Sequence, residues 1–494
     1  MTNRLAVRIL GTSLCVVGVA CSGSTGGASG TGGGEPSGSG GASSSGSGGG
    51  PGQGTGGAVG TGGAASGGMI GTAGTIGTGG MRGSGGTSGS GGMMGSGGTT
   101  STGGMGGHPG GSGGRPPAGG SSGSGGSSGS AGSGGTLPSG MRPCDIYAMA
   151  NTPCVAAIST VRVLLSTYKG PLYQLRKGGT NNVFMGKQPI GTGGGTTGGT
   201  TQDIGATADG FADAVAHEAF CGTDTCTFSK LYDQSGKGND LTESPAGQYE
   251  QGPDYEVPAT HAVMVGGHKV YSAWFPNPPT LPSGSAPSGY GYRNNKTNGM
   301  PTKTDAQGVY MVADGTHSGN GCCFDFGNAE TNNGSGPTGA MAAINLGTSY
   351  WGNGAGSSPW FEGDFEAGVW AGGSSCGTPG SGQLTCSGRK PNPQNPSMKT
   401  IPFAFGILKT GTTNSMPTWT LKVGDATAGA LTTAYDGEAP GKWQLQGALL
   451  LGTGGDNSNS SWGTFFEGAV TAGQPTDAAD EAVHANIMAA GYGK

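Results

Sequence analysis

Residues 22–141 hold almost nothing that a folded core could use. The stretch is built from Gly, Ser, Thr and Ala with scattered Met and Pro, and it carries much of the chain's 115 glycines. Its glycines keep no strict three-residue period, which excludes a collagen-like helix. Without apolar surface to bury, such a segment cannot offset the entropy of being ordered, and a disordered tether is predicted. As a flexible coil of about 120 residues it would span roughly 60 Å root-mean-square. Folding is left to the remaining ~350 residues, enough for one large domain with a core. Composition changes sharply at Met141, so the folded domain is placed at 142–494.

The net charge is −5 and no basic cluster occurs anywhere in the 494 residues, which argues against nucleic acid as a partner. A neutral polysaccharide is compatible with this charge. At the N-terminus, Arg4 and Arg8 precede an apolar run from Leu14 to Ala20, and Cys21 follows directly. This reads as an export signal over residues 1–21. The apolar run is too short to cross a membrane as a helix. Gly18-Val19-Ala20-Cys21 is similar to a bacterial lipoprotein cleavage site in which Cys21 is acylated, although Gly18 stands where leucine is usual. The expectation is an exported protein, either a cell-surface lipoprotein of the outer membrane or a secreted one with Cys21 incidental. Any membrane contact would run through that anchor alone.

Beyond Cys15 and Cys21 there are eight cysteines. An even number in an exported chain reads as a disulfide set. Close pairs are Cys144 with Cys154, Cys221 with Cys226, and Cys376 with Cys386. Cys322 and Cys323 are adjacent: they either bond each other, closing almost no loop, or pair elsewhere or stay reduced. Parity favours the vicinal bond. Zinc is the rival, but paired C-x-x-C spacing and neighbouring histidines are missing. No metal and no organic cofactor is expected, and a monomer is.

Short alternating or apolar runs separated by Gly, Asn, Asp and Pro read as strands: Lys269–Phe275, Val309–Val312, Ala342–Leu346, Ile401–Leu408, Thr418–Val423 and Gly447–Leu451. Helices are predicted at Val155–Tyr168 and at the C-terminus, with Thr476 as a cap and Gly491 just past the end. Many strands and few helices predict an all-β, two-sheet sandwich.

Within this pattern, TSYWGNGAGSSPWFEGDFEAGVW (Thr348 to Trp370) alternates aromatic residues with glycines and sets Asp364 and Glu366 two apart. If extended, both carboxylates share one face of the sheet near Trp351, Trp360 and Trp370. Carboxylates among flat rings suit sugar cleavage, since rings stack on the apolar faces of sugars. The ordinary alternative is an acidic, turn-rich surface strand.

Six ordered segments together resemble the catalytic domain of the α-L-arabinofuranosidase B family, glycoside hydrolase family 54. They are PCDIY…TPC (143–154), LYDQSGKGNDLT (231–242), GYRNN (291–295), DGTHSGNGCCFDFGNAET (314–331), YWGNGAGSSPW (350–360) and LGTGGDNSNSSWGTFFEG (451–468). The resemblance implies a jelly-roll sandwich and a retaining exo-hydrolase removing terminal α-L-arabinofuranosyl groups from arabinoxylan or arabinan. It implies Glu366 as nucleophile and Asp456 as acid/base. Trp351, Asp364, Gly455 and a Cys322–Cys323 disulfide would contact the sugar. Asp325 and Asn328 are expected to line the pocket, and Tyr292, Arg293 and Asn294 are either turn residues or sugar contacts. Two departures stand out. Ala367 and Gly368 replace the two asparagines usual after the nucleophile, and the sequence reaches Lys494 without the arabinose-binding domain of fungal members, so polymer targeting is expected from elsewhere or not at all.

Without the resemblance, Glu330 and Glu467 compete with Glu366. The competing functional class is a non-catalytic glycan-binding or adhesion sandwich, because a fold does not fix a function. A retaining mechanism needs its two carboxyl groups roughly 5–5.5 Å apart. It also requires the acid/base to be protonated, which burial or a neighbouring negative charge achieves.

Overall fold

The computed structural model describes residues 140–181, 195–248, 253–278, 289–319, 321–348, 353–366, 368–373 and 391–494. The export signal with Cys21, the tether up to residue 139, Trp351, and the Cys376/Cys386 pair lie outside the described residues.

Alternation of large apolar and other residues builds two facing sheets, as predicted. The larger runs, in spatial order, Thr432–Glu438, Met416–Asp425, Ala404–Thr413, Gln307–Ser318, Gly463–Ala472, His268–Phe275 and His261–Val265, with Cys154–Ser159 also paired to Gly463–Ala472. The smaller runs Val369–Trp370, Trp360–Asp364, Ala342–Gly347, Asp325–Ala329, Ala448–Leu451, Tyr292–Asn294 and Thr242–Glu243. Neighbouring strands are antiparallel in both. A separate three-stranded sheet, Thr200–Ile204, Tyr173–Lys177 and Cys226–Leu231, packs beside them.

The interlayer core follows from strand parity. Phe326 meets Phe465 of the opposite sheet with ring centroids 5.3 Å apart. Phe361 and Ile344 fill the space over Gly406, where a Cβ would lie 2.6 and 2.7 Å from them. Residues of the other parity point away from this core. Asp325 lies opposite Asn345, Asn345 opposite Glu362, and Asp364 opposite Ala343. Beside them Ala329, Met341, Ala343, Ala448 and Leu450 form a second, small apolar cluster. That outer face is nevertheless buried. Loops cover it: Gln248 N–H donates both to Asn333 O (2.9 Å) and to Asp456 O (3.0 Å).

The helix expected at Val155–Tyr168 is absent. Cys154–Ser159 is instead a fully buried strand paired with residues 467–471. A short apolar run buried on both faces has no period that separates helix from strand. The helix forms earlier, at Pro143–Met149, with proline in its first turn and the Arg142 N–H donating to Asp145 Oδ2 at 2.8 Å. A helix at Ala214–Cys221, capped by Asp213, was not foreseen. The C-terminal helix Asp477–Ala489 is as predicted: Thr476 Oγ1 accepts the Ala479 N–H at 3.2 Å, and Gly491 takes φ +77° just beyond. Disulfides join Cys144 to Cys154, Cys221 to Cys226 and Cys322 to Cys323.

Glu467, a rival from the sequence, belongs to the core. Arg162 grips it with two bonds (2.5 and 2.8 Å), and Tyr492 and Tyr310 donate to it as well.

Candidate active site

The strand Trp360–Asp364 stops two residues short of Glu366, which an extended segment would have included. Phe365 turns into the core against Trp419 and Trp443, with centroids 5.0 and 5.1 Å away. Glu366 then adopts φ +76°, a conformation uncommon outside glycine. Three bonds hold the bend. Glu366 N–H donates to Asp364 Oδ1 at 2.9 Å, Phe365 N–H to Gly368 O at 3.2 Å, and Gly336 N–H to Glu366 Oε1 at 3.0 Å. Asp364 and Glu366 are neighbours, as expected, but a bend and not an extended strand makes them so.

Asp456 arrives on the turn after Ala448–Leu451. Its Oδ1 accepts Ser458 N–H (3.0 Å) and Oγ–H (2.7 Å), and its Oδ2 accepts Ser335 Oγ–H (3.2 Å). Asn457, at φ +65°, anchors the turn by accepting from Ser244 and Thr453 and donating to Asp254, which Asn459 also reaches. Gly455 joins the two halves of the site. A Cβ there would lie 2.7 Å from Glu366 Oε2 and 2.8 Å from Met341 Sδ, and would also collide with Glu330 Oε2. Only a bare backbone fits against these carboxyl groups.

The Cys322–Cys323 disulfide borders the same space. Cys323 Sγ is 3.3 Å from Asp364 Oδ2 and Cys322 Sγ is 3.6 Å from Ser458 Oγ. These two sulfurs and Asp364 are close enough together to hold an ion. Both sulfurs are spent in the disulfide, however, so neither is the thiolate that a metal would bind.

Burial dominates the electrostatics. It raises Glu366 above the ordinary carboxylate value, helped by the charges of Glu330, Asp456 and Asp364 and opposed by the Gly336 N–H. It raises Asp364 to about 7, helped by Asp456 and opposed by the Glu366 N–H. Burial and Asp364 push Asp325 well above the carboxylate range. Burial raises Glu330 to about 7 against the pull of Arg293. Burial lowers Arg293 itself to about 10, with Glu330, Asp456, Glu366 and Asp254 opposing.

Glu366, Asp456, Asp364, Asp325, Gly455, Cys322 and Cys323 are thus brought together. Asn328 is not among them. Parity turns it to the interlayer side, where its amide donates to Pro301 O and Gln307 Oε1 and accepts from Gly447 N–H. Tyr292, Arg293 and Asn294 form a strand instead of a turn. Tyr292 bonds Phe228 O and Val257 N–H, Asn294 bonds Asp240 O, and Arg293 reaches Gly454 O (3.2 Å) and Glu330 O. Sequence reasoning missed Arg293's link between the two site loops, and the parts of Ser335, Gly336 and Asp254. Of these only Arg293 lies in one of the segments that carry the resemblance, and nothing in GYRNN marks the carbonyl groups it reaches.

Fold and site define a β-sandwich protein with converging carboxyl groups of the glycoside hydrolase type. The model of the family "Alpha-L-arabinofuranosidase B, catalytic" matches residues 143–493, and the chain belongs to that family. It is 40% identical over 362 residues to α-L-arabinofuranosidase B of Emericella nidulans, covering 71% of this chain and 62% of that protein. It is 40% identical over 361 residues to an α-L-arabinofuranosidase of Hypocrea jecorina, covering 71% and 63%. The chain therefore spans less than two thirds of these relatives' length. Among solved structures, it is similar to an arabinofuranosidase complexed with arabinofuranosyl-α-1,2-xylobiose, with TM-score 0.59, 37% identity, and 71% and 66% of the two chains covered. A GH54 α-L-arabinofuranosidase soaked with a cyclic sulfate inhibitor aligns with TM-score 0.60 at the same identity and coverage.

Proposed function

We propose that the 142–494 domain is a retaining, exo-acting α-L-arabinofuranosidase that releases terminal arabinofuranosyl groups from arabinose-substituted plant polysaccharide. The observation that carries this is the convergence of Glu366 and Asp456, from separate loops, on the consecutive residues Gly336 and Ser335, with Glu366 Oε2 also lying against Gly455, the residue before Asp456. Glu366 is the nucleophile: its carboxylate attacks the anomeric carbon as the bond to the leaving oxygen breaks. Asp456 gives that oxygen a proton, then takes one from the water that releases arabinose. Once Glu366 is esterified its negative charge is gone, which makes the remaining carboxyl groups more acidic and suits Asp456 to its second role.

Asp364, which fixes the Glu366 backbone, also presents Oδ2 beside Cys323 and is assigned to a sugar hydroxyl. The disulfide forms an apolar wall, and Trp351 is assigned to stack on the ring. Asp325 lies beside Asp364 and is assigned to line the pocket. Three disulfides and the N-terminal apolar segment favour an exported protein, with Cys21 as the attachment point if acylated.

Turnover of a chromogenic α-L-arabinofuranoside by the full chain, compared with Glu366→Ala and Asp456→Ala, tests the reading. Loss of turnover in both variants is expected. Equal turnover by wild type and Glu366→Ala removes Glu366 as nucleophile, and sugar binding without turnover by wild type makes the protein a glycan-binding module.

A further inference from the structure

The mechanism above leaves the buried acid Glu330 unused. Glu330 follows the strand Asp325–Ala329 directly and is fully buried. Among the described residues, no other side chain or backbone donor reaches either of its carboxyl oxygens. Its carboxyl is lodged between two backbones that lack side chains. A Cβ on Gly336 would lie 2.7 Å from Oε1, and a Cβ on Gly455 would collide with Oε2. Those are the same two glycines that meet Glu366, through the Gly336 N–H and through the point beside Gly455 where Glu366 Oε2 also sits. A buried carboxyl without donors is costly for a fold to keep. Apolar packing against Met341 and Ala329 would have filled the same space more cheaply.

Resting on the assignment of Glu366 as nucleophile, we infer that Glu330 is a positioning residue which, as a like charge held against Glu366 beside Gly455, sets the pH at which the nucleophile ionises. Two carboxyl groups in one dry space resist being charged together, so they titrate as a pair. Of the charges that raise Glu366, that of Glu330 acts most strongly, ahead of Asp456 and Asp364. Glu330 is itself faced by Arg293, Asp364 and Asp456, and the Arg293 guanidinium favours its charged form. The chain gains a more basic, and so more reactive, nucleophile. Glu330 is fully buried behind the two glycines.

The test is the pH profile of kcat/KM for the full chain as wild type, Glu330→Gln and Glu330→Asp. Removing the like charge in Glu330→Gln moves the acid limb down by about one pH unit or more, with a lower plateau. Glu330→Asp restores the limb towards wild type. An unmoved acid limb in Glu330→Gln, whether activity is kept or lost, overturns the inference. Should Glu330→Gln fold poorly, azide rescue of Glu366→Ala separates the roles. With no Glu366 to ionise, adding Glu330→Asp leaves the rescued rate unchanged, whereas a purely structural Glu330 lowers it as much as in the wild-type background. Failure of the nucleophile assignment reads out differently, as retained turnover in Glu366→Ala alone.

Discussion

Glu366 and Asp456 are held by consecutive residues of one loop: Gly336 N–H donates to Glu366 Oε1 at 3.0 Å, and Ser335 Oγ–H to Asp456 Oδ2 at 3.2 Å. The two acids come from distant points of the chain, so this loop fixes their spacing more directly than either parent strand does. Ser335→Ala removes one bond and leaves the backbone in place. A hydrogen bond contributes about 0.5–1.5 kcal/mol, so kcat is expected to fall about 2- to 10-fold with little change in Tm. Steady-state kinetics beside a melting curve check this.

Gly455 tolerates no side chain. Gly455→Ala places a methyl 2.7 Å from Glu366 Oε2 and against Glu330 Oε2 and Met341 Sδ. Overpacking of this kind costs about 1–3 kcal/mol, and here it also displaces the nucleophile. Turnover is expected to drop at least about tenfold even at temperatures where the variant is fully folded, since small misplacements at a reacting centre are expensive. Circular dichroism on the same sample separates the two effects.

Stability should fall as pH rises from weakly acid to neutral. Asp364 and Glu330 both stand at about 7 in the folded protein, against 3.8 and 4.5 ordinarily. The folded state therefore holds their protons more tightly than the unfolded chain does. The resulting stabilisation is complete below pH about 4 and is lost as pH climbs through about 7. Tm measured from pH 5 to 8 is expected to decrease, and less steeply in Asp364→Asn.

Arg162 and Glu467 supply the contrast between a structural acid and a site acid. Their bidentate pair is fully buried at 1% and 0% exposure. Arg162→Ala leaves a buried carboxylate unpaired, and a loss of about 3–5 kcal/mol is expected by denaturant titration. The acid limb of the rate profile should not move.

How far the sequence disclosed this molecule depended on what each residue faces. Met416–Asp425 was legible because Trp419, Leu421 and Val423 alternate with Thr420 and Lys422, and Ala404–Thr413, buried over most of its length, was legible as a short apolar run bounded by turn residues. Cys154–Ser159 was misread because burial on both faces erases the period. The joint presence of Asp364 and Glu366 was legible from their spacing, while the bend that produces it was not, since positive φ at a glutamate has no sequence mark. Asn328 looked like a site residue for its place near Asp325, and strand parity sends it the other way. Arg293 sits in a string, GYRNN, that reads as a turn. Its role depends on two carbonyl groups, Gly454 O and Glu330 O, that only the folded chain brings within reach.

The most direct measurement of the central claim is the site of a trapped covalent sugar. The full chain is treated with an arabinofuranosyl inactivator that leaves the nucleophile slowly, then digested and sequenced by mass spectrometry. The account predicts one added arabinosyl-type mass, on the peptide containing Glu366, with none in Glu366→Ala. A label on Asp456 or Glu330, or turnover with inverted configuration and no label, would contradict it.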